Sequence, residues 1–137
     1  MLQSGSLPSL PGTRTTVMPL LCCGALVEEG ITVATPLLAL AEVAGAIARQ
    51  TDDSDLAEKI TGFLHTQSWI QFVPLTDDLA IAATTIAARQ RLRGADAVYV
   101  ALAAQRSLSL ITLDREMRER TKETVDSATP TAWLKQH

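Results

Sequence analysis

Three carboxylates stand in stretches that offer them little polar company. Glu42 interrupts Leu37-Leu38-Ala39-Leu40-Ala41-Glu42-Val43-Ala44, and Asp96 opens the apolar run Gly94-Ala95-Asp96-Ala97-Val98-Tyr99-Val100-Ala101-Leu102-Ala103-Ala104. Asp114 directly follows Leu110-Ile111-Thr112-Leu113. Charge set among buried side chains is costly unless it is paired or metal-bound. A divalent cation is one such partner, because oxygen-ligated Mg²⁺ or Mn²⁺ tolerates a group of like charges. Each acid also has a plain structural reading. Asp96 and Asp114 suit helix N-caps, and Glu42 suits a solvated helix face shared with Arg49.

Other polar residues gather near these acids in sequence. Thr112 precedes Asp114 by two positions and suits either a hydrogen bond to a metal water or phosphate, or an ordinary β-branched strand site. Arg89, Arg91 and Arg93 form one basic group; Arg115, Arg118, Arg120 and Lys122 form another. Both suit phosphate groups, and the first also suits a helix end with cations favourable to its dipole. His65 lies between apolar neighbours with no Cys or second His nearby, so it reads as structural. Trp69 and Phe72 are assigned to the core, and no phosphate-binding glycine pattern is present.

The elements that must position these groups alternate in type. Residues 1–16 are rich in Pro, Ser, Gly and Thr and read as an irregular lead-in; residues 17–137 read as one domain. Leu20 to Glu29 is predicted as a short helix closed by Gly30, and Ile31 to Ala34 as a strand. Thr35-Pro36 reads as N-cap and first residue of a helix that runs to about Gln50. Further helices are predicted over about 55–65, 76–92, 95–106 and 114–120, with strands over 69–73 and 108–112. Strands alternating with helices predict an α/β fold with a parallel sheet. Asp114 then falls at the carboxyl end of a strand, the edge where such sheets bind ligands.

Composition narrows the class. At 137 residues with 47% hydrophobic and 4% aromatic content, the chain must build its core from Leu, Ala, Val and Ile. That excludes disordered and disulfide-scaffold classes and argues against an aromatic base-stacking binder. A net charge of −3 argues against nucleic-acid binding by bulk charge, while leaving room for a local basic face. Cys22 and Cys23 are adjacent, so two free thiols and a reducing, cytoplasmic setting are expected. The apolar stretch 17–27 is too short to span a membrane.

The order and surroundings of the acids resemble the PIN domain, the nuclease fold of the VapC-type toxins of bacterial toxin–antitoxin pairs. The likeness covers about Leu20 to Leu134. Thr35 to Val43 resembles the family's proline-led helix with its second acid, Arg93 to Ala103 the stretch around its third, and Leu110 to Met117 the stretch around its fourth. Thr129-Pro130-Thr131-Ala132-Trp133-Leu134 resembles its closing segment. The resemblance implies a three-layer fold with a central parallel sheet flanked by helices. It further implies a metal-dependent endoribonuclease in which Glu42, Asp96 and Asp114 hold Mg²⁺ or Mn²⁺ and Thr112, Arg93 and Arg115 hold RNA.

A cognate antitoxin is the implied partner. The apolar helices over 35–50 and 76–92 suit either a homodimer face or packing on the sheet. One element departs from the pattern. The family's first strand ends in an Asp, whereas here no Asp or Glu precedes Glu28. A replacement strand over about Thr15–Val17, a degenerate first motif and a shifted reading frame each account for this. The departure favours a weak or non-cutting module that binds RNA or antitoxin as the alternative function. Outside the family, a small α/β domain with capping acids remains, and metal binding separates it from the other two.

Overall fold

The residue pattern produces a sheet whose middle strand comes first in the chain. The computed structural model describes residues 14–19 and 30–136. The expected helix over 20–29, Cys22 and Cys23 and most of the lead-in lie outside the described residues. Five parallel strands are described, β1 (Arg14–Val17), β2 (Ile31–Pro36), β3 (Ile70–Val73), β4 (Leu110–Ile111) and β5 (Ser127–Ala128), in the order β3-β2-β1-β4-β5. The helices are α1 (Ala39–Thr51), α2 (Ser54–His65), α3 (Asp77–Gln90), α4 (Gly94–Arg106), α5 (Arg115–Thr121) and α6 (Pro130–Gln136). This is the expected α/β fold, a parallel sheet flanked by helices.

The central strand is the replacement that the sequence offered. Val17 pairs with Ala34 on one side and Leu110 on the other. The Thr16 hydroxyl donates to the Ser109 carbonyl at 2.7 Å, and Thr16, Val17 and Met18 are fully buried. The lead-in is therefore shorter than 1–16, because Arg14 to Thr16 belong to the sheet. Backbone groups on both neighbours would otherwise lack partners, which is what a four-residue strand is sufficient to prevent here.

A second boundary also moves. Thr35 and Pro36 close β2 instead of opening a helix, and α1 starts at Ala39. Val33 and Leu37 donate their N–H groups to the carbonyls of Trp69, just before β3, and Val73 at its end, at 2.9 and 2.8 Å, so the alternate position 36 faces β1. There β1 has already ended, and the N–H that proline lacks costs no ladder bond.

The strand before Asp114 is shorter than expected, and Ser127–Ala128 forms an edge strand too brief to show any period. Helix α3 is capped by Thr76, whose hydroxyl accepts from the Leu79 N–H, and α2 by Asp53, which accepts from the Leu56 N–H. Helix α4 lies against the sheet with Ala97 to Ala103 all buried, and it packs on α3 as α1 packs on α2. Trp69 and Phe72 are partly buried against this core, and the exposed His65 meets the edge of Phe72, ring centroids 5.5 Å apart. No helix among the described residues is long and apolar enough to cross a membrane.

Candidate active site

Strand order selects one edge of the molecule. From β1 the chain builds outward through β2 and β3, then returns to add β4 on the opposite side. The crevice beyond the carboxyl ends of β1 and β4 is thus the switch point at which open α/β sheets bind ligands. Met18 follows β1 there, fully buried, and Asp114 follows the end of β4 by a short turn.

Asp114 is fixed by that turn. Its N–H donates to the Thr112 hydroxyl at 3.1 Å, and its Oδ1 accepts the Met117 N–H at 3.1 Å, capping α5. Arg118 closes the same turn from α5, its Nη1 donating to the Thr112 carbonyl at 2.8 Å. Thr112 is therefore buried and engaged with the turn, and Asp114 realises the capping role while its second oxygen has no protein donor among the described residues.

Asp96 is held differently. It is the third residue of α4, whose N-cap is Arg93, so the capping role does not apply to it. It is half-buried, and its carboxyl is pushed above the ordinary value by burial first, then by Asp114 and Glu42; Arg93 pulls the other way. That influence makes the three acids one electrostatic group. Glu42 sits in the first turn of α1 and accepts the Tyr99 hydroxyl on Oε1 at 2.8 Å. Tyr99 lies one turn beyond Asp96 on α4, so the helix that carries Asp96 also orients Glu42. Arg49 makes no ion pair with Glu42.

The acids are less enclosed than their sequence surroundings imply. Glu42 and Asp114 are exposed: Val43 beside Glu42 and Ile111 and Thr112 before Asp114 are buried, but Leu113 is itself 68% exposed, so neither acid is enclosed by its apolar run. Asp96 and Asp114 line one cavity of about 160 Å³, together with Arg91, Arg93, Glu116 and Arg120; Glu42 does not. Among the described residues no group of three or more Asp, Glu, His or Cys side chains is close enough to encage an ion. The donor set still suits a hard cation. Each acid keeps a carboxylate oxygen free of protein donors, and Mg²⁺ is held by one or two carboxylates with water filling its remaining positions. Arg93 lines the cavity as a group facing substrate would; Arg115 is turned to Glu119, 3.2 Å away, and does not line it.

Sequence reading gives Tyr99 no role at the site, and places Arg118 only in a basic group, without its part in the Asp114 turn. Their signal is spacing: Tyr99 is three residues past Asp96, and Arg118 four past Asp114, each on the face of its helix that carries the acid.

Comparison with known proteins agrees with this fold. The family model described as PIN domain matches residues 22–123. No curated protein sequence matches the chain. Among solved structures, FitAcB from Neisseria gonorrhoeae matches with a TM-score of 0.63 at 14% identity, over 86% of this chain and 99% of that one. PAE2754 from Pyrobaculum aerophilum matches at 0.62 and 21% identity, over 90% and 96%. A toxin–antitoxin complex from Klebsiella pneumoniae matches at 0.59 and 17% identity, over 84% and 97%. At these identities the likeness establishes a shared fold.

Proposed function

The chain belongs to the PIN domain family, and from that premise we propose that it is a metal-dependent endoribonuclease of the VapC toxin type, restrained by a cognate antitoxin. The observation that carries the reading is the placement of Asp96 and Asp114 on one cavity at the switch-point crevice, with Glu42 near enough to act on Asp96. Asp96, which feels both Asp114 and Glu42 and only Arg93 as an opposing cation, marks a site that gains from a divalent ion. Asp96 and Asp114 are the residues that would hold Mg²⁺ or Mn²⁺, with Glu42 binding the ion or orienting its water. When bound, such an ion supplies an acidified water and offsets charge on the phosphoryl and leaving oxygens.

The protein's own groups do the positioning. Tyr99 holds Glu42 toward the crevice, and the Thr112–Arg118 turn aims Asp114 into the shared cavity. Arg93 stands beside Asp96 to receive a phosphate. The structural likeness to a toxin–antitoxin complex supports an antitoxin partner, and a cytoplasmic location fits that role.

A second reading rests on Met18. At the carboxyl end of the central strand, where the family resemblance calls for an Asp, this chain buries a thioether that contributes no negative charge. The chain then retains the nuclease scaffold and binds RNA or antitoxin with little cutting. One experiment separates the readings. RNA cleavage in Mn²⁺ is measured for the unmodified chain, Met18→Asp and the double variant Met18→Asp/Asp96→Asn. Met18→Asp is expected to raise cleavage about 100-fold, in keeping with the sensitivity of catalysis to metal placement, and Asp96→Asn to abolish the gain. Robust cleavage by the unmodified chain, unaffected by Asp96→Asn and by chelator, would place the chemistry elsewhere.

A further inference from the structure

A second cavity, of about 530 Å³, adjoins the acid cavity, and Arg91 and Arg120 line both. Arg89 and Lys122 add two more cations to its wall, against the acids Glu119 and Glu123. Seven of the chain's 12 Lys and Arg residues fall within 89–93 and 115–122, so the basic charge is concentrated here although the chain carries a net −3. The C-terminal end of α3 and the whole of α5 bring these segments together.

The cations of this cleft are of two kinds. Arg120 is committed: it donates to the Arg91 carbonyl and pairs with Glu116, forming a fixed ridge between the two cavities. The side chains of Arg89, Arg91 and Lys122 are exposed and make no ion pair or hydrogen bond to any described residue. Of the two acids on the wall, Glu119 is engaged by Arg115, and Glu123 makes no ion pair among the described residues. Clustered exposed cations with no protein partner repel one another, and a polyanion laid along them relieves that repulsion.

We propose that this cleft is the binding track for single-stranded RNA flanking the scissile position, with Arg89, Arg91 and Lys122 each contacting backbone phosphate. The proposal deepens the nuclease reading and rests on it for the identity of the polyanion. An acidic peptide would be served by the basic cleft alone. A strand with one phosphate at the acid cavity must carry its next phosphates out of it, and the wall shared through Arg91 and Arg120 gives them that exit.

The test reads binding without cleavage. Fluorescence anisotropy of a labelled single-stranded RNA is measured in EDTA across a salt series. The unmodified chain is compared with Arg89→Gln/Lys122→Gln and with Lys59→Gln, an exposed cation on α2. The double variant is expected to lose about tenfold in affinity and to flatten the log–log salt dependence by about 0.7 for each phosphate contact removed. Lys59→Gln is expected to match the unmodified chain. Both altered side chains are exposed, so an unchanged circular dichroism melt is expected and is checked in parallel. Equal affinity and slope in the double variant overturn the track, as does competition by polyglutamate as effective as that by unlabelled RNA. RNA binding that depends on Arg89 and Lys122, in a chain that shows no Mn²⁺-dependent cleavage even as Met18→Asp, upholds the track while overturning the nuclease reading.

Discussion

Two helices deliver acids to the same cavity by opposite means. In α4, Ala97 to Ala103 are buried without a break, and Asp96 projects from the end of a rod gripped by the sheet and α3. In α5 only Met117 and Thr121 are buried, and Asp114 is held by a local turn of backbone, Thr112 and Arg118. One acid is placed by the core and the other by a few hydrogen bonds. Core placement is stiff and fails only with the whole fold; turn placement can fail alone. A site built from both can lose one ligand's aim without losing its scaffold.

The largest expected effect tests the α4 half. Leu102 is 1% exposed, and Leu102→Ala is expected to cost about 2–5 kcal/mol, as buried Leu truncations do. Thermal denaturation should show a single cooperative transition at lower temperature. Loss confined to α4, with the remaining sheet protected from hydrogen exchange, would break the picture of α4 as part of the common core.

A smaller effect sharpens the α5 half. Asp114→Ala removes a cap worth about 1 kcal/mol, and faster hydrogen exchange is expected over 112–121 with the rest of the sheet unchanged. Asp114→Asn keeps an acceptor for the Met117 N–H and should preserve that protection. Both variants are expected to lose the rise in melting temperature on adding Mn²⁺. If only the alanine variant loses it, Asp114 acts as a cap and not as a ligand.

The smallest effect concerns the proton on Asp96. Its folded-state value is raised by burial and by Asp114 and Glu42, so the folded protein holds this proton more tightly than the unfolded chain. The associated stability is present at low pH and declines as pH rises from the ordinary carboxyl value through the raised one. Asp96→Asn stays neutral throughout. In metal-free buffer its stability relative to the unmodified chain should increase across that window and level off above it. A difference that does not vary with pH would mean that burial and the two acids together leave the Asp96 carboxyl unshifted.

Sequence reading fared well where a residue's local environment decided its structure, and poorly where a distant strand did. The dipeptide Thr-Pro occurs twice, and sequence reading assigns a helix start only to Thr35-Pro36. At Thr129-Pro130 it opens α6, the Thr129 hydroxyl accepting the Ala132 N–H at 3.2 Å. At Thr35-Pro36 the same signal lies at the end of a strand, because β3 continues to pair there and β1 has stopped. Local propensity is identical in the two places, and only the neighbouring strands differ. For the candidate site, the motifs around Glu42, Asp96 and Asp114 marked residues that the fold joins electrostatically. The burial expected for them was misjudged, since an apolar run reveals which residues turn inward but not that the odd one faces a crevice. Tyr99 escaped notice because a tyrosine in a buried helix reads as core until its hydroxyl finds Glu42 across 57 positions.

The position of β1 also bears on how the chain is synthesised. Its hydrogen-bonded neighbour β2 follows closely, but the Thr16 hydroxyl meets Ser109 across 93 residues. At about 5–20 residues per second of translation, one edge of the middle strand waits roughly 5–20 s for its partner to be made. During that interval the growing polypeptide displays an unpaired strand edge, a template for mispairing with other nascent chains. The rate of translation through β4 therefore sets how long the newborn domain depends on chaperones.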